Sequence, residues 1–122
     1  MKVYLSCHHP DPARELAERL RAAGHQIVSD WHEDGEERPA PDDVKTWCYK
    51  AGHNLDQIKT ADVLVLIAGP VRYPGGKFVE AGFAYGIGVN VIALGRRENG
   101  MSALFGFADD AEMLVNLLAE NS

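Results

Sequence analysis

Two aliphatic runs in the second half of the chain limit the fold more than any other feature of the sequence. Residues 62–68 read DVLVLIA, and residues 89–95 read VNVIALG. Near-continuous aliphatic runs of this kind are typical of strands that are buried on both faces of a parallel sheet. We therefore expect both segments in the centre of such a sheet, with helices covering each face.

The segments around these runs alternate between strand and helix patterns. A proline near its start, apolar residues at Leu16, Ala17 and Leu20, and Gly24 at its end predict the first helix. The predicted strands cover residues 2–6, 25–29, 62–68 and 89–95, and the predicted helices cover residues 10–23, 42–60, 77–88 and 109–120. This order predicts an α/β fold, a single-domain doubly wound (flavodoxin/Rossmann-like) sandwich over residues 1–122 with a parallel sheet of four or five strands.

Composition restricts the class of partner. The chain has 122 residues and a net charge of −6, which argues against a nucleic-acid polymer because such partners require a basic surface. Cys7 and Cys48 lack the spacing of a metal site or a disulfide framework. No signal peptide or membrane-spanning run is recognisable. We expect a cytoplasmic protein that binds a small molecule and contacts no membrane.

In doubly wound sheets, ligands bind beyond the carboxyl ends of the strands, at the point where the strand order reverses. The predicted segments at that edge are residues 6–9 (SCHH), 69–76 and 95–99. Ser6 and His8 are candidate binding residues in the first of these segments. A long acidic loop, residues 30–43, is a candidate lid.

Gly75, Gly76 and Lys77 precede the third predicted helix in the run PGGKFVEAGFAYGIG, residues 74–88. Free backbone amides at a helix start favour an anion, although two glycines are equally typical of a tight turn. The run lacks the spacing of a phosphate-binding Walker loop, and no GxGxxG follows the first strand. We therefore expect neither a dinucleotide nor any other cofactor.

Glu80 is the acid in this otherwise apolar or small run. An unpaired buried carboxylate is costly, so Glu80 must face water, a cation or a ligand. Near a helix N-terminus it is favoured in its ionised form and could attack an electrophilic sugar carbon. The alternative is an ordinary exposed glutamate. Asp56 is the candidate for a second acid that assists a leaving group.

Three stretches, KVYLS, DQIKTADVLVLIAGP and GGKFVEAGFAYGIGVNVIALG, resemble the nucleoside 2-deoxyribosyltransferase superfamily, which includes the 2′-deoxynucleoside 5′-monophosphate N-hydrolases. The resemblance spans essentially the whole chain. It implies that Glu80 is the nucleophile that attacks the anomeric carbon and that Asp56 lies near the sugar or the base. It also implies that Tyr4 orients the nucleophile, and a phenol that donates to a carboxylate would do so.

The chain departs from the family at two places. Family members that bind a 5′-phosphate usually follow the first strand with Ser and Arg, where this chain has Cys7, His8, His9 and Pro10. Six residues before the glutamate the family places a polar residue, where this chain has Pro74. Backbone amides of Gly75 and Gly76, with Lys77, Arg72 or His8, would have to replace these contacts.

The resemblance also implies a homodimer. The segment MSALF, residues 101–105, is similar to one that in the hydrolases lends a serine to the neighbouring subunit, which would be Ser102 here. Small residues at alternate positions after Glu80 permit close approach of a second helix, or close packing on the sheet. They are Gly82, Ala84, Gly86 and Gly88.

Other residues have competing interpretations. Neighbouring histidines on a loop rarely bind one metal ion without further ligands, so we expect no metal at His8 and His9. Trp31 and Trp47 could stack on a base or lie at the edge of the core.

The sequence favours cleavage or transfer at the N-glycosidic bond of a nucleoside or nucleotide. The alternatives are a non-catalytic nucleotide-binding domain of the same fold, and cleavage of a nicotinamide glycosidic bond as in Toll/interleukin-1 receptor-like domains. The base, a need for a 5′-phosphate, and the choice between water and an acceptor base stay open.

Overall fold

The computed structural model describes residues 1–33, 39–70 and 75–121. In these residues the strands are β1 (Lys2–Ser6), β2 (Gln26–Ile27), β3 (Val63–Ile67), β4 (Asn90–Leu94) and β5 (Gly106–Ala108). The helices are α1 (Pro10–Ala22), α2 (Val44–Thr60), α3 (Gly76–Gly86) and α4 (Ala111–Glu120). All neighbouring strands pair in parallel, in the order β2-β1-β3-β4-β5. The predicted doubly wound α/β fold is confirmed.

Two strands differ in detail from the sequence prediction. β2 has only two residues instead of the five predicted over residues 25–29, and β5 was not predicted as a strand. β5 contains three residues, GFA, which are too few to show any periodicity. Short 3₁₀ helices at Trp31–Glu33 and Gly100–Leu104 also lie where the sequence predicted no helix.

The sheet has one helical layer on each face. All five residues of β3 are buried, as expected of a central parallel strand. On one face Val63 and Val65 pack with apolar residues of α1 and α4. On the other face Leu64 and Leu66 pack with apolar residues of α2 and α3. Glu80 on α3 therefore belongs to the layer that faces the second of these surfaces.

The strand order reverses at the β1/β3 pair. The chain passes from β1 outward to β2 and then returns through α2 to β3 on the other side of β1. Tyr4 and Ser6 lie two residues apart on β1, so both side chains point to the same face of the sheet. Tyr4 packs in the α2/α3 layer. The switch point is thus lined by hydroxyl groups on the face that α3 covers.

The glycines of α3 are not explained by packing on the sheet. A Cβ atom added at Gly82 or Gly86 would meet nothing within 4 Å, and both residues are exposed. Gly88, just after the helix, has a positive φ of 87° that favours glycine. The buried apolar residues of α3 on this face of the sheet are Ala81 and Ala84, with Phe78 and Phe83 packed beside them.

No helix in the described part of the chain is long and apolar enough to cross a bilayer.

Candidate active site

The carboxylate of Glu80 is held by two hydroxyl groups of β1. The Tyr4 hydroxyl donates a hydrogen bond to Glu80 Oε2 at 2.7 Å, and the Ser6 hydroxyl donates to Glu80 Oε1 at 2.8 Å. Each carboxylate oxygen therefore has its own donor, which fixes the orientation of the group. The odd acid of an otherwise apolar helix faces the switch point of the sheet, and it contacts the first-strand tyrosine that the sequence singled out.

A third contact comes from α2 and involves a residue that sequence reasoning missed. The Asn54 side chain lies near Glu80 and lowers the pKa of its carboxyl. Asn54 carries no charge, so a search for a second acid passes over it. It does lie four residues before the buried Ile58, which places both on the inward face of α2. That periodicity was the available signal.

The predicted second acid, Asp56, lies on a different face of α2. Its side chain is 76% exposed and forms an ion pair with Lys59 at 3.4 Å. Residues two apart on a helix point about 200° apart around the axis, so Asn54 and Asp56 cannot both turn toward Glu80. The structure brings Asn54, and not Asp56, to the carboxylate.

Burial and hydrogen bonding act in opposite directions on Glu80. Burial raises the pKa of the Glu80 carboxyl, while hydrogen bonds from Tyr4 and Ser6 and the nearby Asn54 side chain lower it, and the net pKa is above the ordinary value of 4.5. Burial, reinforced by the nearby Glu80 carboxylate, raises the pKa of the Tyr4 phenol. Tyr4 therefore keeps its proton and acts as a donor, and Glu80 is a carboxylate whose ionisation the fold opposes.

This raised pKa predicts how stability depends on pH. The protonated form of Glu80 contributes stability that is fully present below the unfolded-state pKa near 4.5 and is lost as pH rises through the higher folded-state pKa. Relative to Glu80→Gln, whose amide does not titrate, the wild type should lose stability over that interval. Urea unfolding of both proteins from about pH 4 to about pH 8 measures the difference. A difference that does not change with pH would contradict the assignment.

The three predicted binding residues at the N-terminus of α3 have different surroundings. Gly75 and Gly76 are exposed at the start of the helix, where their backbone can approach a ligand. Lys77 instead turns inward, with its side chain only 1% exposed. Its Nζ donates to the Ile67 carbonyl at 3.1 Å and to Glu98 Oε1 at 2.6 Å. The lysine charge is thus neutralised inside the protein by a residue that the sequence did not single out.

The two adjacent histidines have separate surroundings. The His8 ring lies against Gly69, where an added Cβ would come within 2.4 Å of His8 Nδ1. Burial, with a contribution from Lys77, lowers the pKa of His8, which favours the neutral ring. The ring of His9 accepts a hydrogen bond from the Asp11 amide and caps α1. Only His8 therefore lies beside the loop that follows β3.

Ser102 is buried in its own chain. Its hydroxyl donates to the Asn99 carbonyl at 2.7 Å and takes part in a capping box with Asn99 at the start of a 3₁₀ helix. Its side chain is thus occupied by local contacts and is not directed outward. The role across a subunit interface that the resemblance implied stays a prediction.

Both tryptophans hydrogen-bond to backbone near the switch point or the acidic loop. Trp31 Nε1 donates to the Leu5 carbonyl at 2.7 Å and packs on the core. Trp47 Nε1 donates to the Ala40 carbonyl at 3.0 Å. The core-edge interpretation therefore fits Trp31, whereas Trp47 is 36% exposed.

A pair of ionisable side chains lies at the rim of this region. His53 Nε2 is 3.1 Å from both carboxylate oxygens of Asp30, and Gln57 joins the cluster from the next turn of α2. The Asp30 carboxylate is near enough to Tyr4 to contribute to its raised pKa, after burial and Glu80. The sequence did not combine Asp30 with His53, because the contact joins two segments that are distant in the chain.

Two cavities of the described chain lie away from Glu80. One of about 210 Å³ is lined by residues of α3, β4 and the β5 region, and another of about 190 Å³ lies between α1 and α4. The candidate site is therefore defined by the contacts of Glu80. Residues 34–38 and 71–74, including Arg72 and Pro74, lie outside the described residues, and so do the expectations that concern them.

The fold and the site together indicate the class of protein. The chain is a parallel, flavodoxin-like α/β protein with a partly buried carboxylate, held by hydroxyl donors, at the topological switch point of its sheet. Residues 3–118 match the family model described as nucleoside 2-deoxyribosyltransferase. The chain belongs to this family, as the sequence resemblance indicated.

Solved structures share the fold. A 2-deoxyribosyltransferase of the psychrotolerant bacterium Bacillus psychrosaccharolyticus is 24% identical, with a TM-score of 0.69 over 95% of this chain and 91% of that one. The CMP N-glycosidase BcmB of Clostridium botulinum is 17% identical, with a TM-score of 0.60 over 98% and 99% of the two chains. No curated protein matches the sequence.

Proposed function

We propose that this protein is an enzyme that cleaves or transfers at the N-glycosidic bond of a 2′-deoxynucleoside or nucleotide, with Glu80 as its nucleophile. The observation that carries the proposal is the Glu80 carboxylate, which is held at the switch point by Tyr4 and Ser6. Membership of the nucleoside 2-deoxyribosyltransferase family supports the substrate class. Of the two solved proteins named above, one is a 2-deoxyribosyltransferase and the other is a CMP N-glycosidase.

The chemistry takes place in two steps at C1′ of the sugar. One Glu80 oxygen attacks C1′ as the bond to the base breaks, and the base leaves with the bonding electrons and takes up a proton from solvent. The product is a glycosyl ester of Glu80. Water or a second base then attacks C1′, loses a proton to solvent and releases Glu80 as a carboxylate. Two displacements at one carbon give net retention of configuration.

The neighbours of Glu80 would orient it and balance its charge. Tyr4 and Ser6 each donate to one oxygen, so that attack requires one of these bonds to weaken as the ester forms. We assign the third contact to Asn54. Asp56, on another face of α2, has no part in this proposal.

The remaining substrate contacts would come from the adjoining segments. The exposed backbone of Gly75 and Gly76 and the His8 ring beside Gly69 lie at the carboxyl edge of the sheet. A ribose hydroxyl could bond to either.

We also propose that the protein forms a homodimer through the outer face of α3. Val79 is 69% exposed there and Tyr85 is 49% exposed, while Gly82 and Gly86 leave room for a second backbone. A flat face of this kind would allow close approach of the same helix from another copy.

Removal of the Tyr4 hydroxyl should slow the reaction by about 10- to 100-fold, a loss comparable with that of one charge-assisted hydrogen bond. In Tyr4→Phe one Glu80 oxygen loses its donor, so the Glu80 pKa rises further. The pH at which activity reaches half its plateau should rise with it. Tyr49→Phe is the matched control, because Tyr49 is 77% exposed on α2. Equal rates and pH profiles in the two variants would exclude an orienting role for Tyr4.

The direct test is a screen for released base. Purified protein is incubated with 2′-deoxynucleosides, their 5′-monophosphates and NAD, with and without an acceptor base, and the products are separated by chromatography. Base release from a deoxynucleoside or its monophosphate is expected. Release of nicotinamide alone would instead favour the nicotinamide glycosidase. If no base is released but a nucleotide raises the melting temperature, the protein is a binding domain.

A further inference from the structure

Glu98 is surrounded by groups that proteins use to bind anions. Its Oε1 accepts from Lys77 Nζ at 2.6 Å, and its Oε2 accepts from the Gly69 amide at 3.4 Å. The Arg96 guanidinium lies 3.8 Å from the same Oε2 and donates to the Gly69 carbonyl. A lysine, an arginine and a backbone amide around two oxygens form a typical phosphate-binding cradle. Here the cradle is filled by a carboxylate of the chain itself.

This cradle lies one helical turn from the proposed nucleophile. Lys77 precedes Glu80 by three residues on α3, so the two side chains project from neighbouring positions of one helix face. Ser6 connects them, because its hydroxyl contacts both the Lys77 carbonyl and Glu80. Gly69 follows β3 and Glu98 follows β4, whereas Asn54 reaches Glu80 from α2, on the β1 side. The cradle therefore flanks the reaction centre on the β4 side.

The ion pair of Lys77 and Glu98 lies largely inside the protein. The Lys77 side chain is 1% exposed and the Glu98 side chain is 12% exposed, so the pair is shielded from water. An incoming dianionic phosphate would meet a carboxylate that already holds the Lys77 ammonium. To take its place, the phosphate would have to expel Glu98 from three partners.

We propose that Glu98 determines the substrate class: it fills and neutralises the anion cradle, so that the site accepts a nucleoside with a free 5′-hydroxyl and rejects the 5′-monophosphate. This inference rests on the proposed function for its substrate. The claim that Glu98 blocks an anion site formed by Lys77, Arg96 and the Gly69 amide does not depend on the proposed function.

The test compares kcat/KM for one 2′-deoxynucleoside and its 5′-monophosphate. The wild type should favour the nucleoside by at least about 100-fold, since like charges brought together cost several kcal/mol. Glu98→Gln should reduce this ratio at least about tenfold, mainly through a lower KM for the monophosphate. Because the ratio cancels any loss of folded protein, a purely structural role would leave it unchanged. An unchanged ratio, or a wild type that prefers the monophosphate, would overturn the proposal.

A double variant separates charge from structure. Lys77→Met with Glu98→Gln removes both members of the ion pair, and it should not gain activity on the monophosphate because the principal cation is gone. A gain as large as that of Glu98→Gln alone would contradict the cradle. Should Glu98→Gln fail to fold, a wild type that prefers the monophosphate still overturns the proposal.

If neither substrate loses its base, the proposed function fails and phosphate binding tests the cradle by itself. Calorimetry with inorganic phosphate should then show binding to Glu98→Gln and at least tenfold weaker binding to the wild type. Equal binding, or none to either protein, would overturn the inference about Glu98.

Discussion

Glu80→Gln is expected to abolish base release, with a loss of kcat on the order of 10⁴-fold or more, as is usual when a covalent nucleophile is removed. The amide is nearly isosteric with the carboxylate, but it is a far poorer nucleophile and carries no negative charge to stabilise positive charge on the sugar. Steady-state release of base, followed by chromatography, measures the effect.

The same substitution should not damage the fold. Because the partly buried Glu80 has a raised pKa, its ionised form costs stability at neutral pH, and a neutral amide avoids that cost. We expect Glu80→Gln to be at least as stable as the wild type at pH 7. Glu18→Gln, on the exposed side of α1, is the matched control and should keep full activity. Substantial turnover by purified Glu80→Gln would refute the mechanism.

Lys77→Met is expected to lower the free energy of unfolding by about 3–5 kcal/mol, the usual effect of removing one partner of a buried ion pair. Methionine fills much of the same space, but Glu98 loses its 2.6 Å partner and the Ile67 carbonyl loses a donor. Urea unfolding at pH 7 measures the change.

A surface lysine supplies the comparison for this prediction. Lys59 is 60% exposed and pairs with the exposed Asp56, so Lys59→Met should change stability by no more than about 1 kcal/mol. The double variant of Lys77→Met with Glu98→Gln should recover part of the lost stability, because no uncompensated charge stays buried. If Lys77→Met is as mild as Lys59→Met, the pair contributes little to the fold.

The fold was largely predictable because its central strands carry an unambiguous pattern. β3 is apolar throughout and buried throughout, and the alternation of strands and helices then leaves few topologies. β5 was not predicted from the sequence because a three-residue strand is defined by its pairing with β4 and not by its own sequence. The length of β2 was overestimated for the same reason, because only Gln26 and Ile27 pair with β1.

The contact of Tyr4 with Glu80 was expected from the family resemblance, and the strand periodicity of β1 agrees with it. Tyr4 and Ser6 share a face of β1 because strand side chains alternate, and both reach Glu80. Helix positions were harder. Asn54 was not singled out because its proximity to Glu80 depends on which face of α2 meets the sheet, whereas Asp56 was chosen for its chemistry, as an acid that assists a leaving group.

The tertiary contacts of side chains were the least predictable part of the site. Lys77 stands at a helix start, where it was expected to bind substrate, yet its four-carbon chain turns inward to Glu98. Glu98 lies 21 residues further along the chain, and nothing local in the sequence marks the two as partners. Ser102 likewise turns into the local cap with Asn99. Such contacts depend on tertiary packing, which a single sequence does not show.

The covalent intermediate on Glu80 is the most direct test of the account. Protein mixed with a 2′-deoxynucleoside is quenched in acid during turnover, digested and analysed by mass spectrometry. We expect one added deoxyribosyl group on the peptide that contains Glu80, and none in Glu80→Gln treated in the same way. Base release by the wild type with the sugar on another residue would contradict the assignment of Glu80 as the nucleophile.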